Sequence, residues 1–557
     1  MRSRSIQGTV LAVLVWAVAA SAGTESWYAT SFEDMPAGRL DEASEGDVVW
    51  KSLGQSEITT EFHRTGRKAL RIFGGTNNTL EVALPGPLQS SRGLEFHAER
   101  WTSAAPFKFR IQAQVNGEWK EVSNCDQTIV VGREFRSQIV VKLPEGPKTA
   151  LRMITTAPED KGTLMDDFKL FEEEPTHVTQ SPRVATERIA KLVRNETLFK
   201  SGTTNVERIR AQDGGALTVT NATHTFRIPA IITAANGDIL AVCDARRDSG
   251  ADLNGATDID IAIRRSSDNG KTWTPIELIC DLGEGHPASD PSLVLDETTG
   301  EIFCFYNYMD RSKKMEYRLW LQSSRDHGKT WGEPRDITDD ITLPEWKWDF
   351  KFMTSGRGSQ TRDGVLVHTL VRVGKGVHIF GSTDHGKTWK LFHREPMSPA
   401  DESKVIELAD GRLMVNARVN GYGTRHVHVS EDGGRTWTGW RENQLVDPGC
   451  NGAIIRFTSV KDGYEKNRLL FSNANSAGGR TNLSVRISYD EGKTWSDGKV
   501  VDPGGSAYSD MTICPDGNIG ILYEPGYGEV RFTSITLEDL TDGKDQLSRP
   551  YTVPGAK

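Results

Sequence analysis

The chain has 557 residues, and its 67 Lys and Arg residues against 76 Asp and Glu residues leave a formal net charge of −9. This acidic balance argues against a surface for nucleic acid. Hydrophobic residues make up 37% and charged residues 26%, as in globular proteins, and a typical domain of roughly 150 residues allows two to four domains. The six cysteines occur in no zinc-binding spacing and are too few for a disulfide scaffold. No cluster of ligands suggests a metal, and we expect neither a metal nor a cofactor.

The first 22 residues have the form of a cleavable export signal. Arg2 and Arg4 precede an apolar run from Val10 to Ala20, and Ala20-Ser21-Ala22 has the small-x-small form of a signal-peptidase site. The apolar run is about half the ~20 residues that a membrane-spanning helix needs. We therefore expect residues 1–22 to be a signal peptide, the protein to be exported to the outside or the periplasm rather than to a lysosome, and no segment to span a membrane.

Residues 24–174 alternate apolar and polar residues in stretches such as ALRIFG, FKFRIQAQV and SQIVVKL, separated by Gly, Pro and Asn. This pattern predicts a β-sandwich of the jelly-roll or lectin-like kind, which could bind carbohydrate or be purely structural. Residues 175–215 are interpreted as a linker, and the apolar residues Ile189, Leu192 and Val193 predict a short helix within it.

One octapeptide, S-x-D-x-G-x-T-W, occurs five times. The copies start at Ser266, Ser324, Ser382, Ser430 and Ser488, with spacings of 58, 58, 48 and 58 residues. Asp can bond backbone N–H groups, Gly can take positive φ and Trp can pack on a sheet, so the pattern predicts a tight turn repeated once per structural unit. The five acidic residues of these Asp boxes are thus expected to hold turns rather than to act in catalysis.

A second repeat places a turn pair before an apolar, strand-like run. Its six copies lie at Asn236-Gly237, Thr299-Gly300, Asp363-Gly364, Asp410-Gly411, Asp462-Gly463 and Asp516-Gly517. Six hairpins against five boxes predict six four-stranded units, of which the last lacks its box. We therefore expect an all-β chain with a six-bladed β-propeller over residues 216–545, since the repeats are too long for the competing β-helix.

Three arginines break the repeat pattern. Arg227 lies in the apolar run FRIPAII, where a buried guanidinium would be costly without an anionic partner. Arg418 in LMVNARVN and Arg480 in NANSAGGRTN occupy equally atypical places in other blades. Strands of separate blades converge on one face of a propeller, so these three side chains could meet around one small anion.

The FRIP motif around Arg227, together with the repeated Asp boxes, resembles the exo-sialidase (neuraminidase) family of six-bladed propellers, and the resemblance covers residues 216–545. It implies that Arg227, Arg418 and Arg480 clamp the carboxylate of sialic acid. Arg246 resembles the arginine that reaches the O4 side of the sugar, with Asp290 as its expected partner. Glu524 resembles the carboxylate that holds the first arginine of this clamp in place.

The same resemblance implies three catalytic residues. Asp252 is expected to be the acid/base, with Asp248 as its competitor in the same loop. Tyr508, which lies 28 residues past Arg480, is expected to be the nucleophile, and Glu402 is expected to activate it. A phenol has an ordinary pKa of about 10 and needs such a base near neutral pH.

The implied activity is hydrolysis of terminal sialic acid from sialylated glycans, with retention through a tyrosyl-enzyme intermediate. Tyrosine in this role is a known exception among glycosidases, which usually use a carboxylate nucleophile. Transfer to another sugar, hydrolysis of a deaminated sialic acid, and a non-catalytic lectin that kept the arginine clamp stay open as alternatives. A lectin would need none of Asp252, Glu402 and Tyr508. The expected partners are glycoproteins, glycolipids and oligosaccharides, and the protein is expected to be a monomer.

Overall fold

A computed structural model describes residues 26–86, 90–102, 104, 106–132, 135–175, 177–179, 188–202, 204–210, 216–313, 316–477 and 479–556. The predicted signal peptide and the first part of the predicted linker helix, residues 182–187, lie outside these residues. Within the described chain, no helix is long and apolar enough to cross a membrane. All six cysteines are buried.

The front part of the chain forms an 11-stranded sheet, with the central order β10-β7-β11-β6-β4-β3. Its strands are β1 (Ser26–Thr30), β2 (Gly38–Arg39), β3 (Glu42–Glu45), β4 (Val48–Ser52), β5 (Ser56–Thr59), β6 (Ala69–Ala83), β7 (Gly93–Arg100), β8 (Lys108–Val115), β9 (Glu118–Asn124), β10 (Ser137–Lys142) and β11 (Lys148–Phe171). Alternate residues of these strands point inward. They bury a core of their own in which Trp50 lies edge-on to Phe168, with ring centroids 4.9 Å apart.

Six further sheets follow, and they are the blades of a propeller. Blade I contains β15 (Thr225–Thr233), β16 (Ile239–Arg246), β17 (Ile259–Ser266) and β18 (Glu277–Cys280), with the hairpin β13 (Thr204–Arg210) and β14 (Ala216–Ala222) at its outer edge. Blade II contains β19 (Ala288–Leu295), β20 (Ile302–Tyr308), β21 (Arg318–Ser324) and β22 (Arg335–Asp336), and β24 (Gly356–Arg357) pairs with β19. Blade III contains β23 (Lys351–Met353), β25 (Ser359–Gln360), β26 (Leu366–Arg372), β27 (Gly376–Ser382) and β28 (Lys390–Leu391).

The remaining blades have four strands each. Blade IV contains β29 (Ser403–Glu407), β30 (Leu413–Ala417), β31 (Thr424–Ser430) and β32 (Thr438–Val446). Blade V contains β33 (Ala453–Thr458), β34 (Arg468–Ala474), β35 (Thr481–Ser488) and β36 (Lys499–Gly505). Blade VI contains β37 (Ser509–Ile513), β38 (Ile519–Gly526), β39 (Glu529–Ile535) and β12 (Arg194–Lys200). Two short helices, α1 (Thr338–Ile341) and α2 (Leu537–Leu540), and the 3-10 turns Pro344–Trp346 and Val460–Asp462 connect strands. The predicted all-β class and six-bladed propeller are confirmed.

The Asp boxes form the predicted turns. Asp268 accepts hydrogen bonds from the backbone N–H groups of Lys271 at 3.0 Å and Thr272 at 2.9 Å, and from the Thr272 hydroxyl at 2.6 Å. Gly270 has φ 75°, which only glycine adopts easily. Matching Thr-to-Asp bonds close the other four boxes, at Asp326, Asp384, Asp432 and Asp490. The carboxylates of the boxes therefore accept hydrogen bonds from their own turns, as predicted.

The six predicted hairpins are also confirmed. The glycines of the six turn pairs have φ between 80° and 95°: Gly237, Gly300, Gly364, Gly411, Gly463 and Gly517. Each lies between the first and second strands of a blade. Because strands of a blade run antiparallel, these turns and the Asp boxes lie at the same end of the blades.

The propeller ring is closed by a strand from the segment predicted to be a helical linker. Strand β12 pairs antiparallel with β39, from Arg194 opposite Ser534 to Lys200 opposite Glu529. The helix prediction is wrong for the described residues 188–200, which hold an isolated bridge at Ile189 and strand β12. The open edge of blade VI has unpaired backbone groups that a strand can satisfy and a helix cannot. Burial of Leu198 and Phe199 adds to this pairing.

Candidate active site

The predicted site residues lie at the end of the blades opposite to the Asp boxes. In an antiparallel blade, the start of the first strand, the end of the second and the start of the third share one edge. The residues are placed accordingly: Arg227, Asp290, Glu402 and Tyr508 at starts of first strands, Arg246, Arg418 and Glu524 at ends of second strands, Arg480 before a third strand, and Asp252 in the loop after β16. Five blades therefore contribute to one site.

Arg227 is held by Glu524 of blade VI. The guanidinium donates to both carboxylate oxygens, with Nε to Oε1 at 3.2 Å and Nη2 to Oε2 at 3.3 Å. Burial opposes the charge of Arg227, but the ion pair with Glu524 prevails and raises the pKa of the arginine above its ordinary value. Glu524 is 1% exposed. A buried carboxylate thus keeps one arginine charged and fixed across the joint between the last blade and the first.

A bulge in β15 directs Arg227 toward this carboxylate. The register with β16 shifts between Arg227 and Ala230, and Ile228 has φ 63°, an unfavourable conformation for a β-branched residue. The backbone N–H of Ile228 donates to Glu524 Oε1 at 2.7 Å. The backbone N–H of Tyr508 donates to Glu524 Oε2 at 3.2 Å. Glu524 therefore stabilises a strained turn and ties the arginine to the tyrosine.

Tyr508 lies at the centre of the site, against Glu402 and Arg418. Arg418 Nη1 donates to Glu402 Oε2 and also to the Tyr508 hydroxyl, the latter at 3.2 Å. Burial, and then the nearby carboxylate of Glu402, raise the pKa of Tyr508 well above its ordinary value of 10.0. The phenol is therefore neutral, with a carboxylate beside it that can take its proton.

The other two arginines flank the tyrosine ring. The Cζ atoms of Arg227 and Arg480 lie 5.5 and 5.4 Å from the ring centroid of Tyr508. Arg480 is exposed and makes no ion pair with a carboxylate of the described chain. Together with Arg418, these side chains place three positive charges around one phenol, with one guanidinium open to an incoming anion.

Asp252 reaches the site from a loop. Its side chain is 73% exposed, and Oδ1 lies 2.8 Å from Arg246 Nη1 and 3.7 Å from Arg227 Nη1. The competing residue Asp248 instead accepts bonds from the backbone N–H and hydroxyl of Thr257, at 2.9 and 2.7 Å. Asp252, but not Asp248, is thus oriented toward the arginines.

The charge of Asp290 favours that of Arg246, but the ion pairs of Arg246 within the described chain are with Asp244 and Asp252. Arg246, which is fully buried, donates to Asp244 Oδ2 from Nε at 3.2 Å and from Nη2 at 3.1 Å, and also pairs with Asp252. Asp290 Oδ2 accepts a hydrogen bond from Asn307 at 3.1 Å. Residues two apart on a strand share a face, which is why β16 presents Asp244 and Arg246 to each other.

Asp290 nevertheless lies next to this pair. It follows a bulge in β19, has φ 60°, and donates its backbone N–H to Asp244 Oδ1 at 2.9 Å. Burial and the negative charge of Asp244 raise the pKa of Asp290 to about 8. Blade II therefore contributes a carboxyl group that is protonated near neutral pH.

Two residues at the site were missed in the sequence. Asp244 is fully buried and also accepts the Ser289 hydroxyl at 2.7 Å, and the period of two along the strand could have identified it. Tyr527 is 79% exposed, and its ring centroid lies 5.7 Å from Arg227 Cζ. It occupies the turn Gly526-Tyr527-Gly528, and no sequence signal distinguishes it from an ordinary turn residue. No group of three His, Cys, Asp or Glu side chains suited to a metal occurs in the part of the chain that the structure describes.

The sequence and the fold are similar to those of known proteins. A family model described as a BNR repeat-like domain matches residues 237–521, just over half of the chain. The chain is 36% identical over 357 residues to a sialidase of Micromonospora viridifaciens, covering 59% of this chain and 53% of that protein. It is 32% identical over 345 residues to a sialidase of Bacteroides fragilis, covering 57% and 62%. The match therefore spans less than two thirds of either relative.

A solved structure extends the likeness of fold. The structure titled Hadza microbial sialidase Hz136 aligns with a TM-score of 0.52 and 23% identity, and covers 84% of this chain and 99% of that one. The molecule is thus a BNR-repeat six-bladed propeller with a cluster of arginines at one end. It belongs to the exo-α-sialidase family.

Proposed function

We propose that the protein is a retaining exo-α-sialidase, which hydrolyses terminal sialic acid from sialylated glycans. The observation that carries this proposal is the Tyr508 hydroxyl, 3.2 Å from Arg418 Nη1 and beside Glu402, with two further guanidinium groups flanking its ring. A lectin would use the arginines alone. Burying a carboxylate next to a buried phenol costs free energy, and a site that only binds an anion does not need this arrangement.

The arginines would hold the carboxylate of sialic acid. Glu524 and Glu402 occupy one side of Arg227 and Arg418, while Arg480 has no such partner among the described residues. A substrate carboxylate would complete the charge balance of the site. Bidentate bonds from guanidinium groups would fix the orientation of the anomeric carbon over Tyr508.

In the first step, Tyr508 Oη would form a bond to the anomeric carbon while its proton passes to Glu402. The bond from this carbon to the glycosidic oxygen would break, and Asp252 would protonate the departing oxygen. Arg418, which contacts both Tyr508 and Glu402, would stabilise the negative charge that develops on the phenol oxygen. A neutral nucleophile also avoids repulsion by the substrate carboxylate.

In the second step, water would lose a proton to Asp252 and attack the anomeric carbon. The bond to Tyr508 would break, and Glu402 would return the proton to the phenol oxygen. Two displacements at one carbon give net retention. Exposure of Asp252 on a loop suits both tasks, because the leaving group and the water arrive from the open side.

The test is release of a fluorogenic aryl group from its α-sialoside at mildly acidic pH. We expect turnover by the unaltered protein and a loss on the order of 10³-fold or more in Tyr508→Phe. Tyr523→Phe is the matched control, because Tyr523 is also buried in blade VI but bonds Asp502, at 2.8 Å. Proton NMR of the first sugar anomer released tests retention.

Two results would contradict the proposal. Binding of sialic acid without turnover would favour the lectin, and full activity of Tyr508→Phe would remove the tyrosyl intermediate. Adding lactose as an acceptor distinguishes hydrolysis from transfer, and a deaminated sialoside tests the preference at the N-acyl position.

We also propose that the front residues 24–174 form an accessory β-sandwich, separate from the propeller, in an exported monomer. The separate hydrophobic core around Trp50 and Phe168 supports such a division. Pairing of β12 with β39 argues for a propeller that starts near Arg194, earlier than residue 216.

A further inference from the structure

A second cavity lies between the front sheet and blade IV. Its volume is about 610 Å³, and none of the candidate-site residues lines it. Across it, Arg441 Nη1 donates to the backbone carbonyl of Arg136 at 3.3 Å. The rings of His177 and Trp440, which do not line the cavity, also join the two parts of the chain and stack 4.6 Å apart. The cavity is therefore lined by both parts of the chain, and its volume is that of a site for a small ligand.

The lining of this cavity is basic although the protein is acidic. It contains two glutamates, Glu95 and Glu395, against five cationic side chains: Arg64, Arg136, Lys169, Arg435 and Arg441. The net charge of the whole chain is −9. Positive charge is thus concentrated where the two parts of the chain meet.

Arg441 is the most unusual of these cations. It is 5% exposed, and its guanidinium bonds only neutral oxygens: the hydroxyl of Thr424 at 2.9 Å and the backbone carbonyls of Tyr422 and Arg136. No carboxylate of the described chain forms an ion pair with it, and burial lowers its pKa to about 10. Glu99 lies near enough to favour the charge, but this carboxylate accepts the backbone N–H of Arg136. A buried cation that forms no direct ion pair with a described carboxylate, at a cavity wall, suits an anionic ligand.

Two buried histidines offer neutral hydrogen-bonding groups beside this charge. His426 is 7% exposed, and its Nδ1 has no hydrogen-bond partner. His428 Nε2 lies 3.1 Å from the carbonyl oxygen of Pro399, so it carries the proton and leaves Nδ1 as an acceptor. The two rings are 4.6 Å apart. They could serve adjacent hydroxyl groups of one ligand.

Gly439 lets these two rings pack directly against the backbone of β32. A Cβ atom at this position of β32 would lie 2.5 Å from His428 Nδ1 and 2.9 Å from His426 Cε1. The backbone there has no positive φ, so the conformation itself does not demand glycine. Glycine weakens a strand and often marks close approach of another group.

We propose that this cavity binds a small carboxylated sugar, with the carboxylate on Arg441 and hydroxyl groups on His426 and His428. The volume far exceeds that of an inorganic ion, and Trp437 and Tyr422 supply aromatic surface for a sugar ring. This site is separate from the proposed catalytic centre and does not depend on the proposed activity.

The experiment is isothermal titration calorimetry with D-glucuronate as the probe and D-glucose as its neutral counterpart. We use Arg480→Ala as the background, which weakens carboxylate binding at the candidate active site. We expect one site for glucuronate and at least tenfold weaker binding of glucose. Gly439→Ala, whose methyl group would displace the rings of His426 and His428, and Arg441→Gln, which removes the charge, should each weaken glucuronate binding at least tenfold.

Matched variants separate binding from folding. Gly332→Ala should bind normally, because a Cβ there comes no closer than 3.6 Å to another residue. Arg264→Gln should also bind normally, since Arg264 likewise bonds backbone carbonyls, at 2.7 and 2.8 Å, but lies in blade I. Arg435→Gln, on the exposed rim, should weaken binding severalfold without loss of folding.

The proposal is overturned if glucuronate does not bind the Arg480→Ala protein, or if glucose binds equally well. It is also overturned if Gly439→Ala and Arg435→Gln, folded by their melting curves, bind glucuronate like their background. Binding that disappears with Arg480→Ala alone would assign the anion to the candidate active site.

Discussion

The two ends of the propeller blades use carboxylates in opposite ways. At the end that carries the Asp boxes, Asp268 bonds residues no more than 4 positions away. Hydrogen bonds from Thr272, its side chain first, lower the pKa of Asp268 to about 2. At the other end, Glu524 bonds Arg227, which is 297 positions away, and Glu402 contacts groups from blades IV and VI.

The partners of a carboxylate thus distinguish structural from functional carboxylates in a repeat protein. A structural carboxylate recurs in each box, and its oxygens accept hydrogen bonds from their own turn. Those oxygens are therefore not available to a ligand. A carboxylate that joins blades appears once, and its partners are charged side chains that can change partners during a reaction. Four substitutions test this distinction.

The largest effect is expected for Glu402→Gln. Without a base for the phenolic proton, kcat should fall about 10²- to 10⁴-fold. Glu407→Gln is the control, because Glu407 lies at the other end of the same strand and accepts only the backbone N–H of Arg362, at 2.9 Å. Rates with the fluorogenic sialoside measure both, and equal losses would erase the contrast between the two ends.

Glu524→Gln should damage both stability and turnover. The side chains of Arg227 and Glu524 are 12% and 2% exposed, so the change leaves a buried cation without its partner. Loss of one member of a buried pair costs about 3 kcal/mol or more. Urea unfolding should report this decrease, and a stability like that of the unaltered protein would mean that Glu524 does not hold Arg227.

Asp290→Asn should change how stability depends on pH. The pKa of Asp290 is raised to about 8 from an ordinary value of 3.8, so the folded protein keeps a proton that the unfolded chain releases between these values. Stability therefore falls as the pH rises from about 4 to about 8. Melting temperatures of the Asn variant should exceed those of the unaltered protein increasingly over this range, by a few degrees at pH 8. A constant difference would contradict the raised pKa.

The smallest effect is expected at a single Asp box. Asp326→Ala removes bonds to the backbone N–H and hydroxyl of Thr330, at 2.9 and 2.6 Å. We expect a decrease in melting temperature of roughly 2–4 °C, as for a modest loss in a large domain, and unchanged kcat/KM. A strong loss of activity in the folded variant would mean that the boxes take part in catalysis.

Local patterns predicted much of this molecule. The boxes and hairpins could be read directly because Asp, Gly and Trp act within a few residues of each other. The three arginines were identified because they break the repeat pattern of their blades. By contrast, the pairing of β12 with β39 joins residues more than 300 positions apart, and the apolar residues of that segment suit a helix equally well. Arg246 pairs with Asp244, its neighbour on the same strand face. The family resemblance indicated Asp290 instead.

The closure of the ring also sets an order of assembly. Blade VI carries Tyr508 and Glu524, and it is complete only when β12, from before the propeller, meets β39, from its end. During synthesis β12 is made early, and some 330 further residues must be added before its partner strand β39 is reached. Contacts of such high sequence separation form late and slowly. Joining of the first and last strands thus completes the blade beneath the nucleophile, so a partly made chain has no finished site.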